Sequence, residues 1–143
     1  MAREDLQQLA ISFLEAFNDG DWERYAEIIA PDATYYERGS ERTAHSARRS
    51  VAILRQYRGI TPGLKGEPSV WVIDEVTSTV AVQIVWSQVG TENPVTVPGN
   101  FFFTIRGGRI ASVSEQHHYG PVGWWPCGIT DYFKRMQVDT LPE

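Results

Sequence analysis

Residues 107–119 read GGRIASVSEQHHY, which is the pattern of a single β-strand that begins at a Gly-Gly turn. Alternate side chains of a strand point to opposite faces of its sheet. One face of this strand carries Ala111, Val113, Glu115, His117 and Tyr119. That face changes from apolar to ionisable along its length. A carboxylate two residues from an imidazole therefore predicts a polar site toward the end of the strand.

This strand is the last of four in the second half of the chain. Runs of β-branched and aromatic residues, separated by turn-forming segments, predict the strands. They cover residues 68–75, 80–89, 96–106 and 109–119. Short turns between successive runs are typical of an antiparallel meander.

The first half of the chain is mostly helical. Apolar residues at helical spacing predict helices over residues 4–17, 21–30 and 45–58, with a strand at 33–38, a polar loop at 39–43 and a connection at 59–66. Gly20 would end the first helix, Asp21 is a suitable N-cap for the second, and Pro31 would end it. We expect His45 to cap the third helix or to pack near it.

This order of elements predicts an α+β fold with helices on one face of a curved antiparallel sheet. A curved sheet with helices across its mouth forms a cone, which is a natural place for an apolar pocket. The length of 143 residues fits one domain. The five Trp, six Tyr and six Phe either line such a pocket or fill the core.

Composition limits the partners. The net charge of -5 argues against a nucleic-acid partner, which favours a clustered basic surface. No apolar run approaches the roughly 20 residues of a membrane span, and the amino terminus lacks the apolar segment of a secretory signal. We therefore expect a cytoplasmic protein with no membrane partner. The single cysteine, Cys127, rules out an internal disulfide and is expected to be a packing residue.

The sequence also predicts neither a metal nor another cofactor. His117 and His118 are adjacent on a strand and so point apart, which removes the simplest pair of metal ligands. The glycine-rich segments lack the strand-to-helix setting of a phosphate-binding loop. No nucleotide is expected.

Four short motifs occur in a characteristic order. They are FLEAFNDGDWE at residues 13–23, APDATYYE at 30–37, the pair His45-Ser46, and GRI at 108–110. With them the chain resembles the NTF2-like superfamily over residues 5 to 119, especially its ketosteroid-isomerase and SnoaL-like polyketide-cyclase branches. The resemblance implies an NTF2-like cone, in which three N-terminal helices pack on a curved mixed or antiparallel sheet and enclose a pocket. It also implies a homodimer, since related domains commonly pair through the outer sheet face. We expect residues 1–143 to form one such domain, with residues 120–143 as a C-terminal extension.

The resemblance assigns several site residues. The general-base carboxylate of the isomerases falls on Glu37, and their oxyanion-hole tyrosine falls on Phe13, which has no donor. Their second donor falls on Asn100 or Phe101, depending on a one-residue gap. An enolate formed here would lack its usual double stabilisation.

The last strand offers a compensating group. Pocket-lining positions of the isomerase branch fall on Val113, Glu115 and His117. In the epoxide-hydrolase branch a catalytic carboxylate also falls on Glu115. The terminal acid of SnoaL-like chains falls on His118 and is therefore absent. The catalytic candidates are Glu37, Glu115 and His117.

Other residues are candidates for substrate binding. Tyr35 shares a face with Glu37 and has a hydroxyl donor, and Arg38 could contact a substrate oxygen. The expected apolar lining is Trp86, Phe101, Phe103, Trp124 and Trp125. Each assignment has an ordinary alternative: core packing for the aromatic residues, and solvent-exposed ion pairs for Glu37, Glu115 and His117.

Two classes of function fit this pattern. The first is a cofactor-independent general acid/base enzyme, of isomerase or cyclase type, acting on a hydrophobic, oxygen-bearing carbocycle such as a polyketide or terpenoid intermediate. Dehydration or epoxide opening in the same pocket is an alternative. The second class is a non-catalytic module that binds an apolar ligand or dimerises. An open apolar cavity that contains convergent Glu and His side chains favours the enzyme, and a cone filled by aromatic residues favours the module.

Overall fold

The computed structural model describes residues 1–38, 42–60, 63–88 and 95–117. The helices are α1 (Arg3–Asp19), α2 (Trp22–Ile28) and α3 (Ala47–Ile60). The strands are β1 (Ile29–Arg38), β2 (Arg42–Ala44), β3 (Leu64–Asp74), β4 (Thr79–Gln88), β5 (Val95–Arg106) and β6 (Arg109–His117). The C-terminal extension, including Trp124 and Trp125, lies outside the described residues.

The described strands form one curved, mixed sheet in the order β2-β1-β6-β5-β4-β3. The meander from β3 to β6 is antiparallel throughout, as the sequence predicts. β1 lies beside β6 and runs parallel to it, which brings the first strand of the chain next to the last. The α+β fold class is confirmed.

Local signals set the ends of the first two helices. Gly20 ends α1 in the left-handed conformation, at φ 67°, which glycine adopts without steric cost. Its backbone N–H donates to the carbonyl of Phe17. The Asp21 carboxylate accepts a 3.0 Å hydrogen bond from the Arg24 backbone N–H and caps α2. Both predicted boundaries are confirmed.

The end of α2 was predicted wrongly. The helix ends at Ile28, and residues 29–31 already belong to β1. A proline in a strand removes a ladder donor, so it is tolerated where the pairing is irregular. Pro31 lies inside such a region, because the pairing between β1 and β6 shifts register between Ile29 and Thr34.

Other boundaries also differ from the prediction. The connection predicted at 59–66 is shorter, because α3 extends to Ile60 and β3 begins at Leu64. Residues 42 and 43, expected to be part of a loop, belong to β2, which pairs with β1. Ser46, rather than His45, caps α3, since its Oγ accepts a 3.1 Å hydrogen bond from the Arg49 backbone N–H. His45 is exposed.

The core lies between the helices and the inner face of the sheet. Burial alternates along β4 and β5, with Val80, Val82, Ile84, Trp86, Phe101, Phe103 and Ile105 buried. Phe13 of α1 packs against this face, with its ring centroid 5.0 Å from that of Phe103. On β6 the buried residue at the start of the strand is Ile110 rather than Ala111, because the pairing with β5 shifts register there.

Candidate active site

An apolar cavity lies between the helices and the inner face of the sheet. It is lined by Phe13, Phe17, Tyr35, Ile53, Leu54, Trp86, Phe101 and Glu115. The space between the lining atoms is about 370 Å³, and part of it is open to solvent. Most of this space is too narrow for water, because the centre of a water molecule fits within only about 10 Å³ of it. Since that is about the volume one water needs, aromatic rings already occupy most of the interior. A larger ligand therefore enters only if one of these rings moves.

Among the described residues, Glu115 is the one carboxylate in this lining. It lies on β6 two residues after Val113, and both are buried, as the alternation predicts. Only 6% of Glu115 is exposed. Charged side chains are seldom buried this far, because transfer of a carboxylate from water to an apolar site is unfavourable. A buried carboxylate that lines a cavity is a candidate catalytic group.

Tyr35 brings a hydroxyl to the same cavity. It lies on β1, beside Val113 of β6 in the parallel ladder, and is 3% exposed. Its Oη is buried and makes no hydrogen bond within the part of the chain that the structure describes. A buried hydroxyl left in this state costs about 1–3 kcal/mol. The group is thus available to a ligand oxygen.

The other two catalytic candidates are placed by their backbones alone. Glu37 of β1 is in register with Glu115 of β6, and His117 of β6 is in register with Gly99 of β5. The ladder therefore brings positions 37 and 115 side by side. The side chains of Glu37, Arg38 and His117 lie outside the described part of the structure, and their roles stay predictions.

The structure separates the predicted substrate-binding residues. Phe13, Tyr35, Trp86 and Phe101 line the cavity. Val113 is buried but is not one of the lining residues. The assignment of Asn100 is corrected: β5 alternates, so that Asn100 is exposed on the outer face while Phe101 points inward. Neither residue restores the second donor of the isomerases, because Asn100 faces away from the cavity and the Phe101 side chain has no hydrogen-bond donor.

A buried pair of hydroxyls was missed by the sequence analysis. Tyr25 of α2 and Ser50 of α3 are both fully buried, and their oxygens lie 2.8 Å apart. The Tyr25 ring centroid is 5.0 Å from that of Phe13. Burial raises the pKa of the Tyr25 hydroxyl, the hydrogen bond with Ser50 opposes this, and the negative charge of Glu115 raises the pKa further. Helical periodicity marked Tyr25 as apolar and gave no sign of its hydroxyl's partner.

Tyr25→Phe is expected to make the protein less sensitive to alkali. Because the pKa of Tyr25 is raised in the folded state, the unfolded chain loses this proton first, near pH 10, and folding stability falls by about 1.4 kcal/mol per pH unit above that value. The variant lacks this contribution, although at neutral pH it loses about 1 kcal/mol with the hydrogen bond to Ser50. Urea unfolding between about pH 8 and 11 measures both effects.

Ser50→Ala is the matched control for this prediction. It removes the same hydrogen bond but keeps the titrating hydroxyl of Tyr25, so it should retain the steeper alkaline decline. Equal slopes for the wild type and Tyr25→Phe would contradict the prediction.

The described residues contain no cluster of three or more His, Cys, Asp or Glu side chains arranged to hold a metal ion. No helix among them is long and apolar enough to cross a membrane. The prediction of a reaction without metal or cofactor is not tested by this finding and remains a prediction.

A sequence profile of the SnoaL-like domain matches residues 10–113. The chain belongs to the SnoaL-like domain family. The matched region contains the inward-facing residues Phe13, Tyr35, Trp86 and Phe101, and it ends two residues before Glu115. The resemblance inferred from the four motifs is thus confirmed. No protein with a curated description matches this SnoaL-like chain in sequence.

Solved structures show the same fold at low identity. An LEH-like epoxide hydrolase of Mycobacterium tuberculosis is 17% identical to this chain. The match covers 80% of this chain and 84% of the hydrolase, with a TM-score of 0.68. IdmH of Streptomyces antibioticus, proposed to be a polyketide cyclase, is 20% identical to this chain. The match covers 78% of this chain and 91% of IdmH, with a TM-score of 0.71. AusH of Aspergillus nidulans is 16% identical to this chain. The match covers 92% of this chain and 96% of AusH, with a TM-score of 0.75. At these identities the likeness establishes the fold of this SnoaL-like protein and leaves its reaction open.

Proposed function

We propose that this SnoaL-like protein is a cofactor-independent general acid/base enzyme of isomerase or cyclase type. Its substrate would be a hydrophobic, oxygen-bearing carbocycle such as a polyketide or terpenoid intermediate. The observation that supports this most directly is the meeting of a buried carboxylate, Glu115, and a buried hydroxyl, Tyr35, in one apolar cavity. Titratable groups gathered in an apolar pocket are typical of active sites.

In the proposed reaction Glu115 removes a proton from the carbon next to a substrate carbonyl. Negative charge then develops on the carbonyl oxygen, and the Tyr35 hydroxyl donates a hydrogen bond to it. In an isomerisation the protonated Glu115 returns the proton to a carbon further along the conjugated system. Glu37, which lies beside Glu115 on the neighbouring strand β1, and His117, two residues after Glu115 on β6, would be the second base and the second donor.

Two alternatives rest on particular observations. A similar fold in an LEH-like epoxide hydrolase favours epoxide opening, with Glu115 deprotonating water and Tyr35 donating to the epoxide oxygen. The close filling of the cavity by aromatic rings favours a binding module without catalysis. Epoxide opening predicts a diol product, and the binding module predicts binding without turnover.

Two small cyclic compounds distinguish these functions. 3-Cyclohexen-1-one reports isomerisation, because the conjugated product absorbs in the ultraviolet. Cyclohexene oxide reports epoxide opening through formation of the diol, which gas chromatography detects. Turnover of the ketone supports the proposal and turnover of the epoxide supports the first alternative. Saturable binding of both without turnover would leave the binding module.

We also propose that the outer face of the sheet binds a second copy of the chain. One register row crosses five strands there, through Val72, Ala81, Phe102, Ser114 and Tyr36. Phe102 is 53% exposed and Val72 is 65% exposed, and the row carries no charge. An uncharged row with exposed apolar residues at the middle of the face is suited to pairing with itself.

Phe102→Glu is expected to dissociate this dimer, because two carboxylates would be desolvated near the symmetry axis. The affinity should fall by about a hundredfold or more. Since Phe102 is half exposed, the fold should be retained. Sedimentation velocity at several concentrations measures the change. Val76→Glu, at a position 94% exposed in the turn between β3 and β4, is the matched control. Equal masses for both variants would contradict the proposal.

A further inference from the structure

One wall of the cavity lies directly against a glycine. Gly66 of β3 and Trp86 of β4 are cross-strand partners at the edge of the sheet, and the indole ring covers the glycine backbone. A Cβ built on Gly66 would lie 2.8 Å from Cζ3 and 3.0 Å from Cε3 of Trp86. Gly66 therefore permits the present position of the ring, and any larger residue would displace it.

The backbone at Gly66 is held in place by side chains from two helices. The Asn18 amide donates to the Gly66 carbonyl and accepts from the Gly66 N–H, both at 2.8 Å. The Arg58 guanidinium donates to the Asn18 carbonyl at 2.6 Å and to the Leu64 carbonyl at 3.2 Å. These bonds join the start of β3 to the end of α1 and to α3. A steric conflict at Gly66 is therefore relieved more readily by the Trp86 ring than by the strand.

The surroundings of Trp86 determine where the ring would go. It packs edge-on against Phe17, with centroids 5.1 Å apart, and against Phe101, at 6.1 Å. Phe17, Trp86 and Phe101 all line the cavity. A ring pushed off the edge strand moves toward these residues and into the space that a ligand would use.

From these contacts we propose that Gly66 determines the size of ligand that the cavity accepts, by letting Trp86 lie back against β3. This rests on the proposed function, in that the cavity holds a hydrophobic, oxygen-bearing ligand. The fused rings of such a ligand would lie along the Trp86 wall, with the oxygen at Tyr35 and Glu115. Gly66 is a specificity-determining residue that acts through Trp86 and does not touch the reacting atoms.

The test uses three hydroxylated aromatic probes of increasing size: phenol, 2-naphthol and 9-phenanthrol. Isothermal titration calorimetry measures their dissociation constants with the wild type and with Gly66→Ala. In the variant the dissociation constant of 9-phenanthrol should rise by about tenfold or more, while that of phenol changes by less than about twofold. Gly59→Ala is the matched control, because a Cβ at this exposed helical glycine meets nothing within 4 Å. It should leave all three constants unchanged.

Two further variants keep the proposal falsifiable if Gly66→Ala folds poorly. Trp86→Phe alone should increase the affinity for 9-phenanthrol relative to that for phenol. The double variant Gly66→Ala with Trp86→Phe should recover the affinity for 9-phenanthrol that Gly66→Ala loses. An equal loss for all probes in Gly66→Ala, no size dependence in Trp86→Phe, or no binding of any probe by the wild type would each overturn the proposal. Turnover is measured separately. If Gly66→Ala changes the size dependence of binding but substitution of Glu115 leaves turnover unchanged, only the proposed function is contradicted.

Discussion

Glu115→Gln is expected to reduce kcat/KM on 3-cyclohexen-1-one by about 10²–10⁴-fold, the usual contribution of a positioned general base. Glutamine has nearly the same shape as glutamate and can still form hydrogen bonds, but it cannot accept a proton from carbon at neutral pH. The cavity is apolar and Glu115 is 6% exposed, so no bulk water is at hand to replace the base. The loss should fall mainly on kcat, because the proton is transferred only in the transition state.

Two controls make the Glu115 result interpretable. Glu67→Gln is the same chemical change at an exposed position on β3, and it should leave turnover unchanged. Urea unfolding of Glu115→Gln shows whether the fold is retained. If Glu115→Gln is folded and keeps full activity, Glu115 is not the base. The adjacent position, Glu37, would then be tested by the same substitution.

The sequence predicts the fold through patterns that report which side of an element is buried. Alternation along residues 107–119 places Val113 and Glu115 on the inner face, and the structure agrees. Helical spacing similarly identifies Phe13 as inward. These patterns are reliable because a one-residue slip would expose the whole apolar set to water.

The same patterns fail where the outcome depends on a distant partner. The choice between Asn100 and Phe101 needed the register of β5, and the resemblance alone left it open. The hydroxyls of Tyr25 and Ser50, which are 25 residues apart in sequence, join two helices. Likewise, the role of Gly66 is visible only once Trp86 is known to lie opposite. Sequence periodicity carries no information about such contacts.

Tyr35→Phe is expected to change stability and activity in opposite directions. The substitution removes one oxygen and keeps the ring. Since the Tyr35 hydroxyl has no hydrogen-bond partner among the described residues, its loss should leave the free energy of unfolding unchanged or raise it by up to about 1–3 kcal/mol. Turnover should fall by about 10²–10³-fold, as is typical when one oxyanion donor is removed.

Tyr25→Phe is the matched control, because it deletes the same atom from a tyrosine that is also buried. The Tyr25 hydroxyl has a partner in Ser50, so this variant should be less stable, by about 1 kcal/mol. Urea unfolding and kcat are measured on both variants. A destabilised Tyr35→Phe, or one with unchanged kcat, would contradict the role of Tyr35 as donor. A buried hydroxyl that lowers stability yet is needed for turnover is the pattern expected when a polar group serves the reaction rather than the fold.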